Sequence, residues 1–387
     1  MKKIISLFLS LIIVSSSLSG PVLAAEPDIL AESAILIEAS TGSVIYERNA
    51  DKKLRPASIT KIMTLLLIFD SLKENAISLT DEVTVSEHAA SMGGSQVFLE
   101  PGEVQTVETM IKCIAISSAN DACVAMAEYI CSSESAFVDR MNDRAFSLGM
   151  TGTHFVNCCG LDADGHLTTA RDVAIMSKEL ITRHPEIHNY TTIWMDTITH
   201  VTRRGNIEFT LTNTNKLIKQ YEWANGLKTG STSLAGFCLS ATAKKNDVEL
   251  ISVVMGSPTG KTRVSDSITL LNYGYGIVNV YKDTEMPDRP LVSVKNGIQD
   301  YVLGEYESTF THMFMSSYDK TQISSRFELC DRLTAPVCEG DEIGRLIYYY
   351  GDAELGSVKI LASQSIRRAN YGDYIKMLWK AWLGKSN

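Results

Sequence analysis

With 387 residues, 45% of them hydrophobic and 21% charged, the chain is long enough for two or three domains and needs no disulfide staples to fold. A net charge of -9 excludes the broad basic field that nucleic-acid binding requires. The eight cysteines follow neither a zinc-ligand spacing nor the framework of a small secreted domain.

Residues 1–25 read as an export signal. Lys2 and Lys3 precede the apolar run IISLFLSLIIV, and small residues follow up to Ala24 and Ala25, where cleavage is expected. The run falls short of the roughly 18–20 apolar residues of an uncleaved anchor. Two apolar runs around Thr41-Gly42, SAILIEAS and GSVIYER, predict a β-hairpin. After Pro56 and Ser58, IMTLLLIFDSL is apolar nearly all round and predicts a buried helix. Helical pattern continues through VETMIKCIAISSANDACVAMAEYI, broken at Ser117 to Asn120, then through ESAFVDRMNDRAFSLGM and TARDVAIMSKELITRHP. Cys113 and Cys123 lie in these apolar runs and are expected to pack as small hydrophobes.

The period then switches to two, in HVTRRGNIEFTLTN and in GFCLSATAKKNDVELISVVMG with a turn at Lys244 to Asp247. SDSITLLNYGYGIV closes the region as a helix. Strands therefore flank a helical block, an α/β arrangement whose mostly antiparallel sheet is assembled from both ends of the segment. From about residue 288 the runs PLVSVK, YVLG, FELC, IGRLIYYY and SVKILAS, separated by turn signals, predict a small all-β domain. Cys330 and Cys338 could pair there, but no bridge is assigned. In the tail, DYIKMLWKAWLGK, Ile375, Leu378, Trp379 and Trp382 share one helical face, and Asp373, Lys376 and Lys380 take the other. About 14 residues give roughly 21 Å, too short to cross a bilayer. The helix either lies in a membrane interface, as its tryptophan/lysine split suggests, or docks on its own β-domain. The expected divisions are 1–25, 26–284, 285–370 and 371–387.

Three short motifs carry the chemistry. In Ser58-Ile59-Thr60-Lys61, serine and lysine stand three apart and share a helical face, so the amine can take the hydroxyl proton. A helix N-terminus and a second cation such as Lys228 would disfavour the lysine's charge. Alone the motif is weak: Ser58 also suits a helix cap, and Ser317-Tyr318-Asp319-Lys320 repeats the spacing in a loop-like stretch. The second motif, Ser118-Ala119-Asn120, sits at the helix break, where turn chemistry is the plain alternative. Its functional reading puts the Ser118 hydroxyl beside Lys61 as a proton relay and Asn120 on a substrate amide. The third, Lys228-Thr229-Gly230, precedes a strand. There a cation, a hydroxyl and a close backbone approach could hold an extended peptide and its carboxylate.

All three in this order mark serine acyl-transferases of the penicillin-binding protein and β-lactamase group. With RPASITKIMT, GGSQVFLEPGE, SSANDACVAMAEYI, GLDADGHLTTARDVAIMS, GLKTGST and APVCEGDEIG, the chain resembles the D-alanyl-D-alanine carboxypeptidases, the low-molecular-mass penicillin-binding proteins, from about Ala34 onward. The resemblance implies a transpeptidase/β-lactamase-like α/β domain, a small all-β domain and an amphipathic C-terminal anchor. It makes Ser58 the acylated nucleophile, Lys61 its base and Ser118 the relay to the leaving D-alanine. Asn120 would bind the peptide, Lys228 and Thr229 the terminal carboxylate, and the N–H groups of Ser58 and Ser231 would form the oxyanion hole. The family often has an aromatic or histidine at Ser231, and NPHG where this chain has NCCG.

The implied activity is trimming of the terminal D-alanine from peptidoglycan stem peptides, outside the cytoplasmic membrane and without cofactor, with β-lactams as covalent inhibitors. No metal is expected: His184 and His188 lack a third ligand, and the DADG at 162–165 lacks most of a calcium loop. Two alternatives remain. A serine β-lactamase of class A would have Asp where Ala119 stands, and a deacylating glutamate. A silent wall-binding protein would not need the motifs intact.

Overall fold

The computed structural model describes residues 26–202 and 205–382. The expected export signal lies outside the described residues. The hairpin around Thr41-Gly42 forms, Ser33–Glu38 (β1) pairing with Val44–Arg48 (β2). Three more strands come from far along the chain: Ala224–Thr232 (β3), Gly236–Lys245 (β4) and Val248–Ser257 (β5). The sheet order is β2-β1-β5-β4-β3 and every pairing is antiparallel. The β4–β5 turn is tighter than the sequence pattern suggests. Lys244 and Lys245 pair with Glu249 and Val248, which leaves Asn246 and Asp247 to turn at positive φ, a conformation these two residue types tolerate.

Alternation along the strands feeds two cores. Ile35, Ile37, Ile251 and Val253 face one way, and Ala34, Leu36, Leu250 and Val254 the other. Both faces are covered, so both sets are buried. The first face packs against the helical block of Lys61–Lys73 (α1), Val107–Ser117 (α2), Asn120–Cys131 (α3), Glu134–Ser147 (α4) and Ala170–Arg183 (α5). The second packs against Gly260–Ile277 (α6). Helix α1 runs through the middle of the block, and every residue from Lys61 to Ser71 is buried. At roughly 1.5–3 kcal/mol per buried leucine, Leu65, Leu66 and Leu67 alone fix its position, and with it the position of Lys61.

The second unit is built on six strands: Leu291–Lys295 (β6), Tyr301–Tyr306 (β7), Ile323–Leu329 (β8), Leu333–Thr334 (β9), Glu342–Tyr350 (β10) and Ala353–Ala362 (β11). Their order is β8-β10-β11-β7-β6-β9. Val302, Leu346, Tyr348 and Ile360 form its centre, and the Phe310 ring stacks on Tyr348 at 3.9 Å. A ladder between Asn279–Lys282 and Thr311–Phe314 joins the two units: Val280 and Met313 pack toward α6, while Tyr281 enters the second core. The tail forms the helix Tyr371–Trp382 (α7), whose Leu378, Trp379 and Trp382 are exposed. All eight cysteines are free; Cys330 and Cys338 are exposed and unbridged, and Cys113 and Cys123 are buried.

Candidate active site

Ser58 sits in a single 3₁₀ turn, Ala57–Thr60, that runs straight into α1. It caps no helix, since neither turn nor helix has a side-chain cap at its start. A 3₁₀ turn has three residues per revolution, so side chains at i and i+3 eclipse, closer than on an α-helix. Lys61 Nζ accordingly donates to Ser58 Oγ at 2.9 Å. The same nitrogen donates to Asn120 Oδ1 and to the carbonyl of Cys159, both at 2.6 Å. An ammonium or amine so deeply buried requires such partners, and all its bonds are thereby spoken for.

The break between α2 and α3 positions the second motif. Ser118 ends α2 at φ 62°, ψ 35°, in the left-handed region usual for a C-terminal cap but normally filled by glycine. Ala119 then returns to extended backbone and Asn120 begins α3. This turn sends the Ser118 hydroxyl to Lys228, whose Nζ donates to Ser118 Oγ at 2.8 Å and to Thr229 O at 3.0 Å. The pairing is crossed relative to the sequence-based expectation. Asn120, not Ser118, touches Lys61, and Lys228 points inward rather than out from the strand edge. Asn120 is held by its own amide, which donates to Gly93 O at 2.7 Å. Burial, and next the charge of Lys61, push the Lys228 amine well below the ordinary lysine range.

Strand β3 is an edge of the sheet and passes close to the Ser58 turn. A Cβ on Gly230 would stand 2.9 Å from Pro56 O and 3.0 Å from the backbone nitrogens of Ser58 and Ile59. Only a glycine allows that approach, and it sets the Gly230–Ser231 segment against the Ser58 N–H. The Thr229 hydroxyl is 2.8 Å from that of Thr214. From α6, Arg263 donates to Gly230 O at 3.0 Å and adds positive charge behind the strand.

The NCCG loop closes the other side. Asn157 Oδ1 accepts the N–H groups of Gly160 at 2.7 Å and Leu161 at 3.2 Å, which folds the loop over its own side chain. A Cβ at Gly160 would lie 1.9 Å from Ala57 O, so the loop touches the residue before the serine. Behind it His166 receives the Val156 N–H at Nδ1, 2.9 Å away, which leaves Nε2–H to donate to Thr60 at 2.8 Å. Sequence reasoning missed Arg263, the Cys159 carbonyl and Gly160. The first sits in an ordinary helical pattern, and a backbone carbonyl carries no residue-type signal.

The sites set aside are placed as follows. His184 is bound to Asp70 and His188 to Glu249, and among the described residues no group of His, Cys, Asp or Glu could hold a metal ion. Ser317 and Lys320 lie on the exposed surface of the second unit.

Residues 21–259 match the family model described as D-alanyl-D-alanine carboxypeptidase, and residues 279–368 the one described as penicillin-binding protein 5, C-terminal domain. The chain is 39% identical over 355 residues to the D-alanyl-D-alanine carboxypeptidase DacF of Bacillus subtilis, covering 91% of this chain and 90% of that protein. It is 32% identical over 375 residues to DacC of Escherichia coli, covering 92% and 90%. Its fold is similar to the crystal structure of penicillin binding protein 5 from Haemophilus influenzae, with a TM-score of 0.75 and 28% identity over 89% of this chain and 100% of that one.

Proposed function

The chain belongs to the D-alanyl-D-alanine carboxypeptidase family, and from that premise we propose how its residues divide the work. It is a serine-type D-Ala-D-Ala carboxypeptidase. Ser58 Oγ attacks the carbonyl carbon of the penultimate D-alanine while its proton passes to Lys61 Nζ. The N–H groups of Ser58 and Ser231 receive the developing oxyanion. The C–N bond breaks as the terminal D-alanine nitrogen takes the Ser118 hydroxyl proton, which Lys228 Nζ, donating to that hydroxyl at 2.8 Å, replaces. An ester on Ser58 remains while Lys61 holds the Ser58 proton until hydrolysis. Water then hydrolyses that ester and restores the hydroxyl.

Asn120 orients the peptide amide. The terminal carboxylate falls to the Thr229 hydroxyl, with Arg263 and Lys228 supplying positive field from behind. Gly230 permits the peptide to lie along the edge of β3. One observation carries this reading: Lys61 Nζ is 2.9 Å from Ser58 Oγ, inside a cluster that also contains Asn120, Ser118 and Lys228. A lactamase role is disfavoured. Among the described residues no carboxylate hydrogen-bonds Ser58, Lys61 or Asn120, and Asp121 turns instead to the N–H groups of Val97 and Leu99.

The test combines labelling by a fluorescent penicillin with D-alanine release from a diacyl-D-Ala-D-Ala peptide. Stable labelling at Ser58 together with release supports the carboxypeptidase. Rapid drug turnover would favour the lactamase, and no labelling would defeat both. A β-lactam is the expected covalent inhibitor, since its strained amide presents the same carbonyl.

Export across the membrane and attachment to its outer face belong to the same proposal. The lysine-led apolar segment at the N-terminus supports the first. The exposed Leu378, Trp379 and Trp382 of α7 support the second. No helix of the described residues is long and apolar enough to cross a membrane; the attachment proposed for α7 is an interfacial one. A chain ending at Asn370 should stay in the supernatant when the full chain sediments with vesicles; equal sedimentation would refute the anchor.

A further inference from the structure

We propose that Asp162 is a positioning residue for acylation: it ties the end of β3 to the segment that leads into Ser58, and so fixes the spacing of the two oxyanion-hole N–H groups. The inference rests on the reading that the N–H groups of Ser58 and Ser231 receive the oxyanion, and it names what holds them at one spacing.

Those two donors stand on separate elements. Ser58 is in the 3₁₀ turn Ala57–Thr60, and Ser231 is next to last in β3. Within the sheet only β4 pairs with β3, so the other side of the strand is not held by a neighbouring strand. Gly230 sets how close the two elements come, because it lies against Pro56 O and the backbone nitrogens of Ser58 and Ile59. Repulsion of that kind stops approach. It does not stop separation.

The restraint on separation comes from the DADG stretch. Thr232, the residue after Ser231, donates from Oγ1 to Asp162 Oδ1 at 3.1 Å. Its hydroxyl already receives the Ala235 N–H at 3.0 Å, which leaves its own proton for the carboxylate. The same carboxylate oxygen faces Arg55 Nη1 at 3.9 Å, and that nitrogen donates to Ala163 O at 3.0 Å. Arg55 precedes Pro56 and the serine turn. Its neighbour Leu54 exchanges two backbone bonds with Thr168, at 2.8 and 2.9 Å, and Gly160 presses on Ala57 O. Residues 54–58 and the loop 157–168 therefore form one body, and the Thr232–Asp162 bond joins that body to β3. Asp164 is the contrasting case. It stands 3.7 Å from Arg55 Nη2 with its side chain fully exposed, whereas the Asp162 side chain is 25% exposed. Of these two carboxylates, Asp162 is the one bonded to β3.

Oxyanion donors act on charge that develops only in the transition state, so their spacing governs the rate and not ground-state binding. Removing one donor outright costs about 10²–10³-fold in kcat, and loosening one costs less.

The experiment uses the full chain. It times acylation by penicillin and measures kcat and KM for a diacyl-D-Ala-D-Ala peptide. It also titrates a peptide boronic acid, whose tetrahedral boronate puts an oxygen where the oxyanion forms. Asp162→Ala should slow acylation and kcat about tenfold, weaken the boronate by the same factor and leave KM within about twofold. Asp162→Asn keeps an oxygen for Thr232 and should recover most of the loss. Thr232→Val cuts the same bond from the other end, and the double variant with Asp162→Ala should be no slower than either alone. Asp164→Ala removes the same charge from the same loop and should match the wild type.

A raised KM with kcat unchanged would make Asp162 a binding group instead. Additive losses in the double variant would separate it from Thr232. Full activity of Asp162→Ala, or equal slowing by Asp164→Ala, would leave it no part in the reaction. Each of these overturns the inference. A boronate that fails to bind the wild type overturns the functional reading; tight binding that Asp162→Ala leaves unchanged overturns this inference alone.

Discussion

Between Ser33 and Ser267 the chain buries Lys61, Lys228, Glu103, Asp121, Asp172, His166 and His184, all nearly inaccessible to water. Among the described residues beyond Ser267 the buried set is aliphatic and aromatic, and its polar side-chain atoms are tyrosine hydroxyls. The ion pairs differ in the same way. Asp70, 7% exposed, binds Arg144 and His184, whereas the second unit keeps Arg289–Glu305, Arg345–Glu342 and Lys359–Glu342 on its surface. Surface pairs contribute little, and buried charges are costly unless fully partnered. The first unit thus spends stability on holding reactive groups in place, while the second is organised around shape alone.

Five substitutions sharpen or break that contrast. Ser58→Ala should lower labelling and D-alanine release by about 10⁴-fold or more while leaving the thermal midpoint unchanged, because Ser58 Oγ bonds to Lys61 alone among side chains. Residual activity near wild type would remove the chemistry from this region. Lys61→Met keeps the length of the side chain but not the base, and should slow acylation by about 10²–10⁴-fold. Gly160→Ala must move a backbone that a Cβ would approach to 1.9 Å, at a φ of 90°. It should cost about 3 kcal/mol in urea denaturation and slow labelling as well, since Ala57 precedes Ser58.

His166→Gln tests a buried group through pH. Burial pushes the His166 imidazole down to about 4, from the ordinary 6.5. Between those values the unfolded chain binds a proton that the folded protein refuses. Stability is therefore full above 6.5 and falls as pH drops toward 4, by about 3 kcal/mol in all. The variant should flatten that arm of the stability curve; an unchanged slope would assign the effect elsewhere. Tyr348→Phe, which removes a 2.7 Å bond to Asp283 in the second core, should cost about 1 kcal/mol and leave labelling untouched. Any loss of labelling there would show that the two units are coupled.

Much of this was legible from residue order. The three motifs do converge in space, the helix after Ser58 is buried all round, and both alternating runs are strands, GFCLSATAKKNDVELISVVMG in the five-stranded sheet and HVTRRGNIEFTLTN in a separate two-stranded ladder, Met195–Thr202 against Gly205–Thr212. What could not be read follows from geometry. The left-handed turn at Ser118 exchanges the partners of the two lysines, and no residue type announces it, since serine there also suits a plain turn. The Cys159 carbonyl and Gly93 O are main-chain groups, invisible to any search by side chain. An apolar run finds β1, a periodicity of two finds β5, and the expected sheet draws on both ends of the segment, but neither pattern says that these two strands are neighbours.

That neighbourhood governs when the enzyme can come into being. β1 lies between β2, its hairpin partner, and β5, which is made after the whole helical block. Closing so long a loop is slow, and until it closes the inner face of α1 has no sheet to rest on. A chain emerging N-terminus first therefore stays open until Ser257 has appeared, and a fragment ending before Val248 should not fold at all. The nucleophile and its lysine are written early and assembled late, so a nascent chain that has not reached β5 carries no competent acylating serine.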